Sequence, residues 1–230
     1  MEDSCLVKPK IFIVCEFIGS MFLVIAAVVP MILFIEVLKT DIAIAVVADA
    51  LAVGFVLFAL IEMFGPICTA YFNPVVSIGL AISKDITWSQ AFRYLFTQIL
   101  GGLFGIILSH LMFYDRVQIL LTISDVQRSG GAYIGEILGT FILVLCIFSL
   151  VHQKSNRVSL FVGLLVGGML LCTSSTMFAN PQVTVARMFT YSVAGVNIFD
   201  GVVFIVMQSI GAISVVYIWK YYISKCALNI

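Results

Sequence analysis

The chain has 230 residues, of which 62% are hydrophobic and only 10% charged, with a mean hydropathy of +1.18. A soluble domain is nearer half apolar and about a quarter charged, so these values exclude one and describe an integral membrane protein. A formal net charge of zero argues against a nucleic-acid or anionic partner, and no polybasic cluster marks a lipid-binding tail.

A membrane-spanning helix takes about 20 residues. Six stretches qualify in chain order: Ile11 to Phe34, Ile42 to Met63, Trp88 to Phe113, Ala132 to Val151, Ser159 to Met177 and Val202 to Ile223. The first is no cleavable signal, since it is long, contains Glu16 and lacks a small-residue cleavage site followed by polar sequence. Six spans place both termini on one side. Lys8, Lys10, Lys84, Arg93, Lys154, Arg157, Lys220 and Lys225 fall on that side, and Lys39, Arg116, Arg128 and Arg187 on the other, an imbalance that predicts cytoplasmic termini.

Between the second and third spans, and again between the fifth and sixth, stand Asn73-Pro74 and Asn180-Pro181. Each opens an apolar run too short to cross a bilayer. Asn favours the N-cap and Pro the first helical position, so each dipeptide predicts a helix start. A helix that begins inside hydrocarbon must be buried in protein or line a water-filled path, because its free backbone groups need partners.

Cys5, Cys15, Cys68, Cys146, Cys172 and Cys226 form no C-x-x-C pair and read as small hydrophobes. His110 and His152 are far apart and lack Cys neighbours. No metal site, cofactor or catalytic set is expected, and the chain does not read as an enzyme.

The two halves repeat each other. Glu16-Phe17-Ile18-Gly19-Ser20 matches Glu136-Ile137-Leu138-Gly139-Thr140, Gly54 matches Gly163, and Gln98-Ile99-Leu100-Gly101-Gly102 parallels Gln208-Ser209-Ile210-Gly211-Ala212. The dipeptides continue alike, as Asn73-Pro74-Val75-Val76-Ser77 and Asn180-Pro181-Gln182-Val183-Thr184. Three spans per half make the halves opposite in orientation. Inverted repeats of this kind place a solute path at their interface near the bilayer midplane. The repeats cover about residues 11–113 and 132–223, within one channel domain spanning residues 1–230.

This order, a Glu-x-x-Gly helix, a Gly-bearing helix, an Asn-Pro half-helix and a Gln-x-x-Gly helix, twice over nearly the whole chain, resembles the aquaporin and glycerol-facilitator family. The resemblance implies an all-α membrane protein with six transmembrane helices and two re-entrant half-helices. Gly65 to Ser77 (GPICTAYFNPVVS) is similar to the family's first half-helix loop, with Tyr71 where His is usual and Val75 where Ala is usual. The second loop, SSTMFANPQVTVAR, is similar to a bacterial subgroup whose second motif reads like its first, with Val in place of the filter Arg.

By that resemblance Asn73, Asn180, Pro74, Pro181, Val75 and Gln182 belong to the path, and the side-chain amides of the two Asn donate hydrogen bonds to a passing neutral molecule. Water-selective members narrow the path with an aromatic, a His and an Arg; here those places hold Val53, Leu170 and Val183, with Met177 as the fourth wall. The fifth-helix place also fits Gly168 or Met169. The constriction is therefore expected to be wide and apolar.

Arg187 stands four residues beyond Val183, on the same helix face and about 6 Å farther outward. Helical side chains lean back toward the N-terminus, so its guanidinium either hangs over the constriction, with Asp49 one turn outward of Val53 as partner, or reaches the headgroups. Glu16 and Glu136 are symmetric charges in apolar helices, which suggests a structural duty over a proton relay; by the resemblance they accept hydrogen bonds from the loops that carry the half-helices. Gln98 and Gln208 either brace those loops or line the path, bracing being the better fit. Gln182 has three readings: it lines the path, braces the opposite loop, or narrows the lumen.

The expected function is passive conduction of small uncharged solutes, namely glycerol-like polyols, neutral metalloids such as arsenous acid, and water, with ions and protons excluded. The partners are those solutes, membrane lipid and, by resemblance, further copies in a homotetramer in a bacterial inner membrane. The alternatives are a water-preferring channel narrowed by Arg187 and a non-conducting scaffold occluded by Gln182 and Tyr71.

Overall fold

The computed structural model describes residues 9–223; Cys5, Cys226, Lys8 and Lys225 lie outside them. Every regular element in that range is helical: α1 (Pro9–Met31), α2 (Ile42–Phe64), α3 (Pro74–Ser83), α4 (Trp88–Leu111), α5 (Gly130–His152), α6 (Val158–Cys172), α7 (Pro181–Arg187) and α8 (Ile198–Ile218). Local chemistry sets the starts. Asp41 accepts from the Ala43 amide at 2.7 Å, Thr87 and Gln90 form a reciprocal capping box, and Asn197 accepts from the Asp200 amide at 2.8 Å.

Two helices depart from the sequence-based bounds for identifiable reasons. In α1, Pro30 offers no N–H, and the chain immediately widens into a π-helical turn over Ile32–Val37, where the Leu38 amide reaches the Leu33 carbonyl. The fifth span, expected to run from Ser159 to Met177, ends at Cys172, which leaves α6 only 15 residues long. Beyond it the hydroxyls bind locally: Thr173 donates to the Met169 carbonyl at 2.9 Å and Ser174 to the Gly131 carbonyl at 2.7 Å. Hydroxyl residues offer the backbone such alternatives to a helix, and Thr176 enters the left-handed region at φ 58°. Among the described residues five helices are long and apolar enough to span a membrane, with α6 the short sixth.

Pairing of the helices repeats the symmetry of the sequence. α1 packs on α4 as α5 packs on α8, α3 meets α8 as α7 meets α4, and α2 crosses α6 between the halves. That last crossing is backbone on backbone: a Cβ on Gly54 would sit 2.9 Å from the Gly163 carbonyl oxygen, and one on Gly163 would sit 2.7 Å from that of Gly54. Small residues allow this approach in membranes, where dispersion rather than water drives helix association. Large apolar side chains such as Phe96, Leu164 and Phe199 face outward at 64%, 59% and 73% exposure, as a lipid-facing surface requires. Cys15 and Cys68 are buried, Cys146 is half-buried, and Cys172, at the end of α6, is exposed.

Candidate functional site

The two short helices α3 and α7 begin against each other in the interior of the bundle. Asn73 caps α3, its side-chain oxygen accepting from the Val75 amide at 3.1 Å, and Asn180 caps α7 through the Gln182 amide at 3.2 Å. Each Asn then spends one side-chain N–H on the opposite loop: Asn73 Nδ2 donates to the Ala179 carbonyl at 2.9 Å and Asn180 Nδ2 to the Phe72 carbonyl at 2.8 Å. An amide nitrogen carries two N–H donors, so one remains on each Asn. Both residues border a cavity of about 140 Å³.

Two buried carboxylates hold the loops that reach this junction. Glu16 accepts from the Tyr71 and Phe72 amides, both at 2.8 Å, and from Gln98 Nε2 at 2.7 Å. Glu136 does the same for Phe178 and Ala179, both at 2.9 Å, and for Gln208 Nε2 at 2.6 Å. Gln98 and Gln208 also donate to Ser77 and Thr184, the hydroxyls of the half-helices, so both glutamines brace. Ala70 and Phe72 in one loop, and Met177 and Ala179 in the other, have positive φ. Alternation of handedness turns successive amides to one side, a nest that suits an anion such as a carboxylate. The carbonyls of Phe72 and Ala179 accept instead from the Asn side chains across the junction.

Most of the rest of the wall is apolar. Val53, Leu57 and Ile61 recur every fourth residue on α2, and Val158, Val162, Val166 and Leu170 do so on α6, each series presenting one stripe. Leu170 borders the cavity, whereas Gly168 and Met169 are not among its lining residues. Leu23 and Ala27 of α1 and Leu143 and Ile147 of α5 extend the lining, and Met177, Val183, Arg187, Tyr71 and Phe178 also border it.

Four residues expected on the path do not line this cavity. Pro74 and Pro181 are buried first residues of their helices, and Val75 turns into a cluster with Val144, Phe148 and Ala212. Gln182 is completely buried, with its Nε2 3.5 Å from the Phe72 carbonyl and its Oε1 against Gly102, where a Cβ would come within 2.2 Å. The residue after each Pro thus packs on the Gln-x-x-Gly helix of the other half, Gln182 over Gly102 and Val75 beside Ala212. The extra bulk of both is accommodated there, outside the lumen.

Arg187 is 2% exposed, its Nε donates to the Ala194 carbonyl, and its guanidinium lies 3.6 Å from the centre of the Phe178 ring. Phe178 had no role in the sequence reading; only its place two residues before Asn180 marked it. Arg128, also unassigned by sequence, sits 5.4 Å from the same ring and donates to the Gly195 carbonyl at 2.6 Å. Its backbone amide donates to Asp200, which also accepts from Tyr133. His110, buried in α4, pins the chain beyond α7: Nδ1–H donates to the Leu120 carbonyl at 2.7 Å, which leaves Nε2 to accept from the Thr190 hydroxyl at 2.8 Å. These outer-loop partners are far apart in sequence and carry no local signature.

The major intrinsic protein family model matches residues 7–179 of the chain. The chain belongs to the major intrinsic protein family. It is 35% identical over 201 residues to aquaglyceroporin AqpS of Rhizobium meliloti, covering 87% of this chain and 84% of that protein. It is 32% identical over 135 residues to the glycerol uptake facilitator protein of Streptococcus pneumoniae, a match spanning 54% of this chain and 58% of that one. The X-ray structure of the aquaglyceroporin from Plasmodium falciparum superposes with a TM-score of 0.74 over 97% of this chain and 100% of that chain at 20% identity, a likeness of fold. This member of the family is an integral membrane protein with the family's two half-helices meeting at Asn73 and Asn180.

Proposed function

We propose that the chain is a passive channel for small uncharged solutes: glycerol-like polyols, neutral hydroxylated metalloids such as arsenous acid, and water. The observation that carries this reading is the mixed lining of the cavity. Aliphatic side chains of α1, α2, α5 and α6 border it together with the loop residues Thr69 to Phe72 and Met177 to Ala179 and with Asn73 and Asn180, each of which keeps one side-chain N–H unspent. A polyol has the same two kinds of surface. Its hydroxyls replace lost hydration at the polar groups while its C–H groups lie against the aliphatic wall, so passage needs neither tight binding nor coupling.

Ions meet the opposite situation. A cation finds the N-terminal ends of α3 and α7 and the Arg187 guanidinium, and any ion loses hydration that a mostly apolar wall cannot replace. The names of AqpS and of the streptococcal facilitator agree with glycerol as a solute. Gln182 turned away from the lumen weighs against an occluded scaffold. In this reading the protein sits in a bacterial inner membrane with both termini cytoplasmic and works as a homotetramer.

Arsenous acid influx into proteoliposomes carrying an internal pH dye tests the finer claims. The expected result is arsenic entry above protein-free vesicles with no added proton leak under an imposed pH gradient. Arsenic entry at the protein-free rate removes metalloids from the solute list, and a proton leak overturns ion exclusion.

A further inference from the structure

A groove of about 820 Å³ runs along the outer seam of α1 and α4, lined by Ile13, Val14 and Phe17 from one helix and by Phe92, Phe96 and Arg93 from the other. Its apolar walls suit a surface that faces lipid, and a charge among them does not. A charged side chain facing hydrocarbon is costly unless it reaches the headgroups or a partner.

The depth of Arg93 is set by its own helix. α4 opens at Trp88, which is exposed and rests against Phe92 with ring centres 6.0 Å apart. Exposed tryptophan marks the boundary between membrane and water. Arg93 follows five residues later (93 minus 88), about 7.5 Å deeper at 1.5 Å per residue. Its side chain turns back toward that boundary, with Nε donating to the Ser89 carbonyl at 3.2 Å. The two Nη groups make no hydrogen bond or ion pair among the described residues, so the donors they carry stay free at headgroup depth. A second cation stands at the same end. Lys10, exposed in the first turn of α1, precedes Ile13 and Val14 by three and four residues, the spacing that puts it on their face, and has no ion pair among the described residues. Among those residues no carboxylate lines the groove. Past Leu100 the two helices meet backbone to backbone, where a Cβ on Gly101 would come 2.4 Å from the Phe17 carbonyl oxygen. The recess thus has cations at its wet end and is closed at its deep end.

We propose that this groove binds an anionic phospholipid from the leaflet on the side of the chain termini, with one acyl chain between α1 and α4 and the phosphodiester on Arg93 and Lys10. Two unpaired cations without a carboxylate favour a headgroup of net negative charge over a zwitterionic one, whose own cation finds no partner here. A second copy of the chain fits the place less well, because it would bury the Arg93 charge against apolar surface. The seam also carries the brace of the first half-helix loop: Glu16 precedes Phe17, Gln98 follows Thr97, and Gln98 Nε2 donates to Glu16 at 2.7 Å. A lipid seated in the groove therefore stabilises the packed pair of helices on which that loop depends. This holds whichever solutes the path conducts.

The chain has two tryptophans, Trp88 and Trp219, so Trp219→Phe leaves Trp88 as a fluorescent reporter beside the groove. The test places this parent protein in phosphatidylcholine vesicles with graded phosphatidylglycerol, one lipid or the other brominated on its acyl chains, and reads quenching of Trp88 as the relative binding constant of the two lipids. A preference for phosphatidylglycerol of at least about fivefold is expected, the effect of one cation at an anionic surface. Arg93→Gln is expected to reduce it to about twofold or less, and Lys10→Gln to reduce it in part. Val14→Phe fills the groove, leaves both cations in place and is expected to remove the preference as well. Equal constants in the parent, or a preference that survives Arg93→Gln, overturn the proposal. A preference that survives Val14→Phe shows attraction by surface charge alone and overturns the groove. Loss of the preference together with a changed number of copies, read by light scattering on the purified protein, assigns the face to contact between copies and also overturns it. Should Arg93→Gln not reconstitute, the parent and Val14→Phe still decide.

Discussion

Replacing Glu136 by leucine is expected to abolish solute flux and to lower the unfolding free energy of the detergent-solubilised protein by about 4 kcal/mol or more. Three donors converge on this carboxylate: the Phe178 and Ala179 amides and Gln208 Nε2. Leucine fills the volume but accepts nothing, so three buried donors lose their partner at about 1–3 kcal/mol each before relaxation. The left-handed residues Met177 and Ala179, whose backbone geometry costs roughly 1–3 kcal/mol each, lose what holds them. The Ala179 carbonyl that accepts from Asn73 then moves as well, and the junction of the half-helices comes apart. Glu16→Leu should behave the same way through Tyr71, Phe72 and Gln98. Glutamine at either position keeps one acceptor but aims two donors at the amide nest, and should fall between. Denaturant titration followed by circular dichroism, with flux on whatever reconstitutes, checks this. Normal stability in both leucine variants would show that the carboxylates do not carry the loops.

Val183→Arg should separate the solutes. Val183 is 4% exposed and borders the cavity with Val53 and Leu170. An arginine there has few places to go, since Arg187 one turn outward already holds the Ala194 carbonyl and the face of Phe178. The new guanidinium therefore projects into the lumen, narrowing it and adding donors that a single water satisfies more easily than a polyol. Glycerol flux is expected to fall at least about tenfold with water flux reduced less than about threefold, in keeping with the discrimination a pocket gains from one added group. Stopped-flow measurements of both solutes on one vesicle preparation decide it. Equal loss of both fluxes, or loss of neither, would show that Val183 does not set the constriction.

Much of the fold was legible because a membrane leaves few options. Long apolar runs must be helices, and a helix that starts on Asn-Pro inside the bilayer must meet protein, so the two half-helices could be read from two dipeptides and the repeat around them. Charges repeated at matching places in two halves must find partners, which made Glu16 and Glu136 stand out; which amides they take depends on loop handedness that no residue type announces. The end of α6 was misjudged because Thr173 to Thr176 sit in an apolar context, and hydropathy does not register hydroxyls that bind the backbone. Val75 and Gln182 were placed on the path because they follow the Pro that does begin the half-helix. Their actual direction is set by Gly102 and Ala212 on the other half, a contact visible only in three dimensions. The roles of Phe178, Arg128 and His110 were not legible for the same reason, since each works through residues of distant segments.

Whether the protein conducts polyols is decided by stopped-flow light scattering on proteoliposomes exposed first to an impermeant osmolyte and then to glycerol. Shrinkage is expected to be faster than in protein-free vesicles, followed in glycerol by re-swelling that is also faster than in those vesicles. Re-swelling at the protein-free rate, with or without fast shrinkage, would contradict a polyol-conducting path between Asn73 and Asn180.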